Sequence, residues 1–130
     1  MTYSYYDMWY DFIVQDFIRL FNDKQYFDAH EHLEQIWIGL EEPEKSWTQG
    51  LIQIAALMHL LEQGRFIGAT KVWARAKANL TGAPEIYKDI NIINLKKTIA
   101  NICENLDENS YTDVKIGLNP KWALWKKNWN

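Results

Sequence analysis

Apolar residues recur at spacings of three and four along most of the chain, and the breaks in that rhythm fall where helices should end. Tyr6, Trp9, Tyr10, Ile13, Phe17, Leu20 and Phe21 form one stripe of a 3.6-residue period, which predicts a helix over residues 4–21. The polar run Asn22-Asp23-Lys24-Gln25 interrupts it and marks a turn. Asp28 and Glu31 stand at the spacing of a capping box. They predict a second helix, buried through Ala29, Leu33, Ile36, Trp37 and Leu40 and closed by Glu41-Glu42-Pro43-Glu44, since proline disfavours helical geometry in the residue before it.

Ser46 and Gln49 repeat the capping-box spacing ahead of Leu51 to Leu61, a run apolar on nearly every side that belongs in the middle of its protein. Gly64 can end that helix in left-handed geometry. A fourth helix over 66–80 buries Ala69, Val72, Trp73, Ala76 and Leu80, with Lys71 and Arg75 opposite and Gly82 and Pro84 as its stop. Asp89 is the expected cap of a fifth, whose stripe is Ile92, Leu95, Ile99, Ile102 and Leu106. Periodicity is lost from Asn109 to Leu118, and Asn119-Pro120 then makes a good helix start.

These elements predict an all-α protein: a compact antiparallel bundle of about five helices over residues 1–108, with a short aromatic C-terminal tail, 109–130, packed on it. Gly50, Ala55, Ala56, Gly68, Ala69 and Ala76 are small enough to let helices approach closely, and Trp9, Trp37 and Trp73 are expected in the core. Trp47 is expected to pack across a helix start. With 130 residues, 48% of them hydrophobic, there is material for one core and one domain.

Charge narrows the partners. Fourteen Lys and Arg against seventeen Asp and Glu give a net −3, so the overall field does not favour a polyanion and nucleic-acid binding is not expected. A single cysteine, Cys103, leaves no internal disulfide, and no charged leader with an apolar stretch precedes the first helix; a cytoplasmic location is the expectation. The longest apolar run is broken by Gln53 and ended by His59, far short of the roughly 18 residues of a membrane span.

The polar residue types capable of chemistry gather in the second helix. His30 and Glu34, four apart, share a face beside the apolar stripe, where a histidine can ligate a divalent metal or relay a proton and a carboxylate can support it. Residues 30–34 read His-Glu-His-Leu-Glu, which begins like a zinc hydrolase helix but puts Glu34 where the second ligating histidine would stand. His32 lies on nearly the opposite side of the helix from His30, so further ligands would have to come from another element, with His59 and Glu62 on offer. The plainer reading is a buried hydrogen-bond network from His30 and Glu34 to Gln49 and Gln53 that fixes helix register. Glu31 and Asp28 read first as caps, His59 as a histidine near the core, and Cys103 as a small core hydrophobe.

Phe21-Asn22-Asp23, Tyr26-Phe27-Asp28-Ala29-His30-Glu31-His32-Leu33-Glu34-Gln35-Ile36-Trp37, Gln49-Gly50-Leu51-Ile52-Gln53-Ile54-Ala55-Ala56 and then His59, Gly64, Gly68 and Ala69 together resemble a family of small bacterial and archaeal proteins known as domain of unknown function three hundred and nine. The likeness covers roughly residues 17–82 and rests on the pairing of Ala-His-Glu-x-x-Glu-x-x-Trp with Gln-Gly-x-Ile-Gln. It implies an all-helical fold and a shared pocket or internal network at His30, Glu31, Glu34, Gln49 and Gln53, and it brings no activity with it.

The expected function is therefore a non-catalytic interaction or small-ligand-binding domain, a candidate homodimer, working through the aromatic first helix and the tail. In the tail, Trp122, Trp125 and Trp129 alternate with Lys121, Lys126 and Lys127. Folding back over the bundle is the first expectation for it, a protein partner the second, and membrane contact the least expected. The alternative is a metal-assisted hydrolase with His30 and Glu34 as ligands or acid-base groups, Glu31 as proton acceptor, and Gln49, Gln53, His59 and Trp37 lining the pocket.

Overall fold

The computed structural model describes residues 3–106. They form five helices, α1 (Tyr5–Asn22), α2 (Tyr26–Trp37), α3 (Glu44–Glu62), α4 (Phe66–Asn79) and α5 (Ile92–Glu104), with a two-stranded antiparallel hairpin, β1 (Ile86–Tyr87) and β2 (Ile90–Asn91), ahead of the last. The expected helical bundle is what the chain forms. Each of the first four helices packs on the next in sequence, and α5 packs on α4 and the hairpin. The core runs through all five, from Ile13, Phe17 and Phe21 through Leu33 and Leu57 to Trp73 and Ile99. Among the described residues no helix is long and apolar enough to cross a membrane.

Several helix starts differ from the sequence reading, and for one reason: a local pair with capping spacing does not reveal which turn it occupies. Asp28 lies inside the first turn of α2, whose N-cap is Gln25, so Asp28 and Glu31 make no capping box. There Asp28 interacts favourably with the helix dipole instead. The chain enters α3 at Glu44, two residues before Ser46, and it is Glu42 that reaches forward, accepting from the Ser46 amide at 2.9 Å and the Ser46 hydroxyl at 2.8 Å. At α5 the cap is Asn91, whose side chain accepts from the Asn94 amide, in place of Asp89. The box that does form is at α1, where Ser4 and Asp7 exchange side-chain-to-amide bonds.

Asp89 serves the hairpin. Lys88 and Asp89 have φ of 50° and 68°, left-handed at both central positions of a two-residue turn, as a type I′ connection requires. Strands of two residues carry no period to detect, so the sequence pattern does not announce them. At Gly50 the expected close approach is present: a Cβ there would lie 2.6 Å from Leu80 Cγ and 3.2 Å from the Ala76 carbonyl oxygen.

The first helix holds the largest departure. Its buried face is Tyr10, Ile13, Val14, Phe17, Ile18 and Phe21, while Trp9, expected in the core, is 48% exposed. Trp73 is buried, as expected, and Trp37 is half-buried. Because α1 carries large apolar residues on two sides, a stripe drawn through all of them mixes the face that meets the core with the face that does not.

Candidate functional site

His30 and Glu34 meet as their spacing implies, with His30 Nε2 3.2 Å from Glu34 Oε1. The other ring nitrogen lies 3.2 Å from the Phe27 carbonyl oxygen, so satisfying both contacts by donation takes a proton on each nitrogen. The Phe27 ring is flanked by two imidazoles, His30 from α2 and His59 from α3, with centroids 5.4 Å away in both cases. His59 Nδ1 stands 4.0 Å from Glu62 Oε1. The result is a half-exposed aromatic and histidine cluster on the α2/α3 seam, with Glu31 and Glu34 in solvent. Among the described residues no three His, Cys, Asp or Glu side chains are placed to hold a metal ion.

The remaining expected members lie elsewhere. Gln53 turns to α4, where its side-chain oxygen accepts from Asn79 at 2.8 Å, and Gln49 sits half-buried one turn earlier on α3. Trp37 donates its indole N–H to the Lys45 carbonyl at 3.1 Å and lies under the Lys45 ammonium at 4.8 Å, closing the α2 to α3 connection. Trp47 donates to the Thr81 carbonyl and packs edge-on against Tyr87. His32 points to α1, its Nε2 3.3 Å from Asp16 Oδ2, an oxygen arrangement that also takes Arg19. So His30 lies on the α3 side of α2, His32 turns to α1 and Trp37 to the α2 to α3 connection, and the residues of the motif do not converge on one pocket.

A polar constellation absent from the sequence reading lies at the other end of the bundle. Tyr10 from α1, Thr48 from α3 and Tyr87 from β1 are all buried, and their hydroxyls touch: Tyr10 with Thr48, and Tyr10 with Tyr87 at 2.6 Å. Tyr87 donates in turn to Glu44 Oε1 at 2.9 Å. Each hydroxyl has one proton, and the carboxylate can only accept, so the chain runs in one direction, from Thr48 through Tyr10 and Tyr87 to Glu44. Burial pushes the Tyr10 phenol up to about 12, against the lowering effect of its bonds with Thr48 and Tyr87. Burial and the neighbouring Tyr10 push Tyr87 further in the same direction. Both phenols stay protonated at neutral pH and serve as fixed donors. Lys88, one residue on in the hairpin, pairs with Asp11 at 2.7 Å and covers the Tyr10 ring at 4.5 Å. The only sequence signal for this group was Thr48, a lone small polar residue on the face of α3 that enters the core.

Beside it, Tyr6, Tyr10, Asp7, Glu41 and Glu44 line an open cleft of about 310 Å³ between the start of α1 and the α2 to α3 connection. Its carboxylates are mostly committed: Asp7 to the α1 cap, Glu42 to Ser46 and Glu44 to Tyr87. The neighbouring surface of α1 is the more unusual feature. Tyr5 (89% exposed), Met8, Trp9 and Phe12 stand at i, i+3, i+4 and i+7, directly opposite the buried face, and the Trp9 and Phe12 rings stack with centroids 6.2 Å apart. Four adjacent large side chains held out in water form a contiguous apolar patch of the size that marks interaction sites.

No curated protein matches the chain. Residues 14–72 match the family described as Domain of unknown function (DUF309), a span that contains the His30 motif, the Gln49 to Gln53 motif and the helices α2 and α3 that carry them. The resemblance read from those motifs is thus the match found: from the second half of α1 to the middle of α4, the chain is similar to the DUF309 family.

Proposed function

We propose that this protein is a non-catalytic interaction domain whose docking element is the outward face of α1, and that its partner is a short amphipathic segment, aromatic on one side. The observation that carries the reading is the solvent-exposed row of Tyr5, Met8, Trp9 and Phe12 on a helix whose opposite side is fully buried. Such a helix presents anchors at the spacing by which one helix engages another. The carboxylates near the start of α1 lie on another side of the helix: Asp7, Glu41 and Glu42 line the cleft with Tyr6 and Tyr10, and Asp11 pairs with Lys88. A hydrolase built on His30 and Glu34 has two donors where a catalytic zinc takes three, and among the described residues no third His, Cys, Asp or Glu is placed to join them.

The test is peptide binding by fluorescence anisotropy. The full chain carries Trp122→Ser, Trp125→Ser and Trp129→Ser, so that its own aromatic tail does not compete. A synthetic peptide with tryptophans on one helical face is expected to bind, and the same peptide with those tryptophans replaced by serine to bind more weakly. Met8→Asp with Phe12→Asp should weaken binding at least about tenfold, roughly 1.4 kcal/mol. Binding unaffected by those substitutions would place the partner elsewhere and end the proposal.

A further inference from the structure

We infer that the amphipathic segment received by the outward face of α1 is α1 of a second copy, the two helices lying antiparallel with their rows of Tyr5, Met8, Trp9 and Phe12 in contact. The inference rests on the reading of α1 as a docking element and names its partner.

Three observations support it. The first is the spacing of the row. Steps of three, one and three residues read the same in both directions, so a twofold axis between Met8 and Trp9 lays Tyr5 on Phe12 of the other copy and Met8 on its Trp9. Among the described residues no other helix holds out more than one large apolar side chain: α2 has Phe27, α4 has Ile67 and α5 has Ile93. The face that matches α1 is therefore α1 itself.

The second is charge. The chain carries a net −3 at neutral pH, so two copies repel unless the contact itself is free of like charges. The row meets that condition, because the carboxylates of the same turns lie on another side of the helix and are committed, Asp7 to the Ser4 cap and Asp11 to Lys88. Further along the same stripe Asp16 and Arg19 pair with each other at 2.8 Å and add no net charge. A strongly charged partner finds no unmatched charge in this row, whereas an identical neutral row meets no repulsion.

The third is area. With Tyr5 89%, Met8 51%, Trp9 48% and Phe12 59% exposed, the row offers on the order of 500 Å² per copy, and a symmetric pair withdraws about 1,000 Å² from water. That is the lower end of what a specific interface buries, so the association is reversible and depends on concentration. The Trp9 and Phe12 rings are already stacked, 15° from parallel, and lose little freedom on contact. Each copy thus covers the other's docking face, and any further amphipathic partner has to compete with the pair.

The closing experiment is sedimentation velocity of the full chain from low to high micromolar concentration. The expected result is a reversible shift from monomer to dimer, which Met8→Asp with Phe12→Asp moves to concentrations at least about tenfold higher. Both positions are exposed, and an unchanged far-ultraviolet circular dichroism spectrum checks that the variant is folded. Trp122→Ser, Trp125→Ser and Trp129→Ser should leave the shift in place; a dimer that responds to these substitutions and not to those in α1 overturns the inference. Register is read from disulfide formation in a Cys103→Ser background. Tyr5→Cys chains mixed with equal amounts of Phe12→Cys chains should give the mixed product in excess, since like positions lie about 10 Å apart along the axis. Like-chain products in equal or greater amount overturn the antiparallel pairing. The peptide separates the two levels. A chain that stays monomeric throughout while the tryptophan peptide binds refutes the pairing and leaves the docking element standing; a monomeric chain that binds no such peptide refutes both.

Discussion

Tyr10 and Tyr26 are both buried phenols, and they differ in what their hydroxyls meet. Tyr10 lies in the middle of a directed chain, whereas Tyr26 Oη, buried against Phe21, has no hydrogen-bond partner among the described residues. Removing the Tyr10 hydroxyl leaves Thr48 and Tyr87 with unmatched polar atoms, a loss of about 1–3 kcal/mol by the general asymmetry of buried hydrogen bonds. Removing the Tyr26 hydroxyl leaves nothing behind. Urea unfolding of Tyr10→Phe should therefore show a clear drop in midpoint, and Tyr26→Phe an unchanged or higher one. Equal losses in the two variants would mean that the hydroxyl chain adds no stability. His30 and Glu34 belong to the other category: an i, i+4 pair with Glu34 about half exposed adds little, and their value to the fold is mainly the contact they share with Phe27.

Among elements, α3 is the one on which the rest depends. It is apolar on most sides, takes α2 on one flank and α4 on the other, and comes close enough to α4 only because Gly50 has no side chain. Gly50→Ala should push α4 away through Leu80 and the Ala76 carbonyl and destabilise by about 1–3 kcal/mol, the usual cost of overpacking. Thermal unfolding checks this, and an unchanged midpoint would show that the seam yields freely. How much of this was legible beforehand depends on the length over which a pattern repeats. The five helices were legible because apolar spacing persists for three turns or more in each. The caps at Asp28, Ser46 and Asp89 were placed wrongly because a single pair of residues looks the same one turn early or late. The hairpin was invisible at two residues per strand. At the site, the meeting of His30 and Glu34 follows from spacing alone. That Gln53 faces Asn79, and that Tyr87 reaches Tyr10, depends on which helix lies on which side, and no local spacing encodes that.

For the molecule as a whole, the titrating tyrosines predict an alkaline limit to stability. Tyr10 and Tyr26 are each pushed up to about 12 from the ordinary 10.0, and Tyr87 is raised further. Above pH 10 the unfolded chain releases phenolic protons that the folded chain retains, so the unfolded form gains and stability falls with rising pH; below pH 10 the contribution is fully present. The urea midpoint should be level from pH 7 to about 9.5 and decline from there toward 12, more gently in a Tyr10→Phe, Tyr26→Phe double variant. On the acid side the sign reverses. Asp7 and Glu42 are held below the usual carboxylate range by bonds from Ser4 and Ser46, and what they contribute is lost as protonation proceeds. A profile flat through pH 11 would contradict the burial of the phenols.

The bond from Tyr10 to Tyr87, and the ion pair from Asp11 to Lys88, each join positions 77 apart in sequence, while the helices from α1 to α4 contact their immediate successors. During synthesis the first four helices can associate pairwise as they emerge, over short loops. Tyr10 and Thr48 can meet as α1 and α3 pack, but their hydroxyl chain reaches Glu44 only once Tyr87 of the hairpin has been made. Loop closure over that span is the slow step that topology imposes on an otherwise local fold. The hairpin is thus the fastening of the molecule in time as well as in space: a nascent chain halted before it has its first four helices but not its lock.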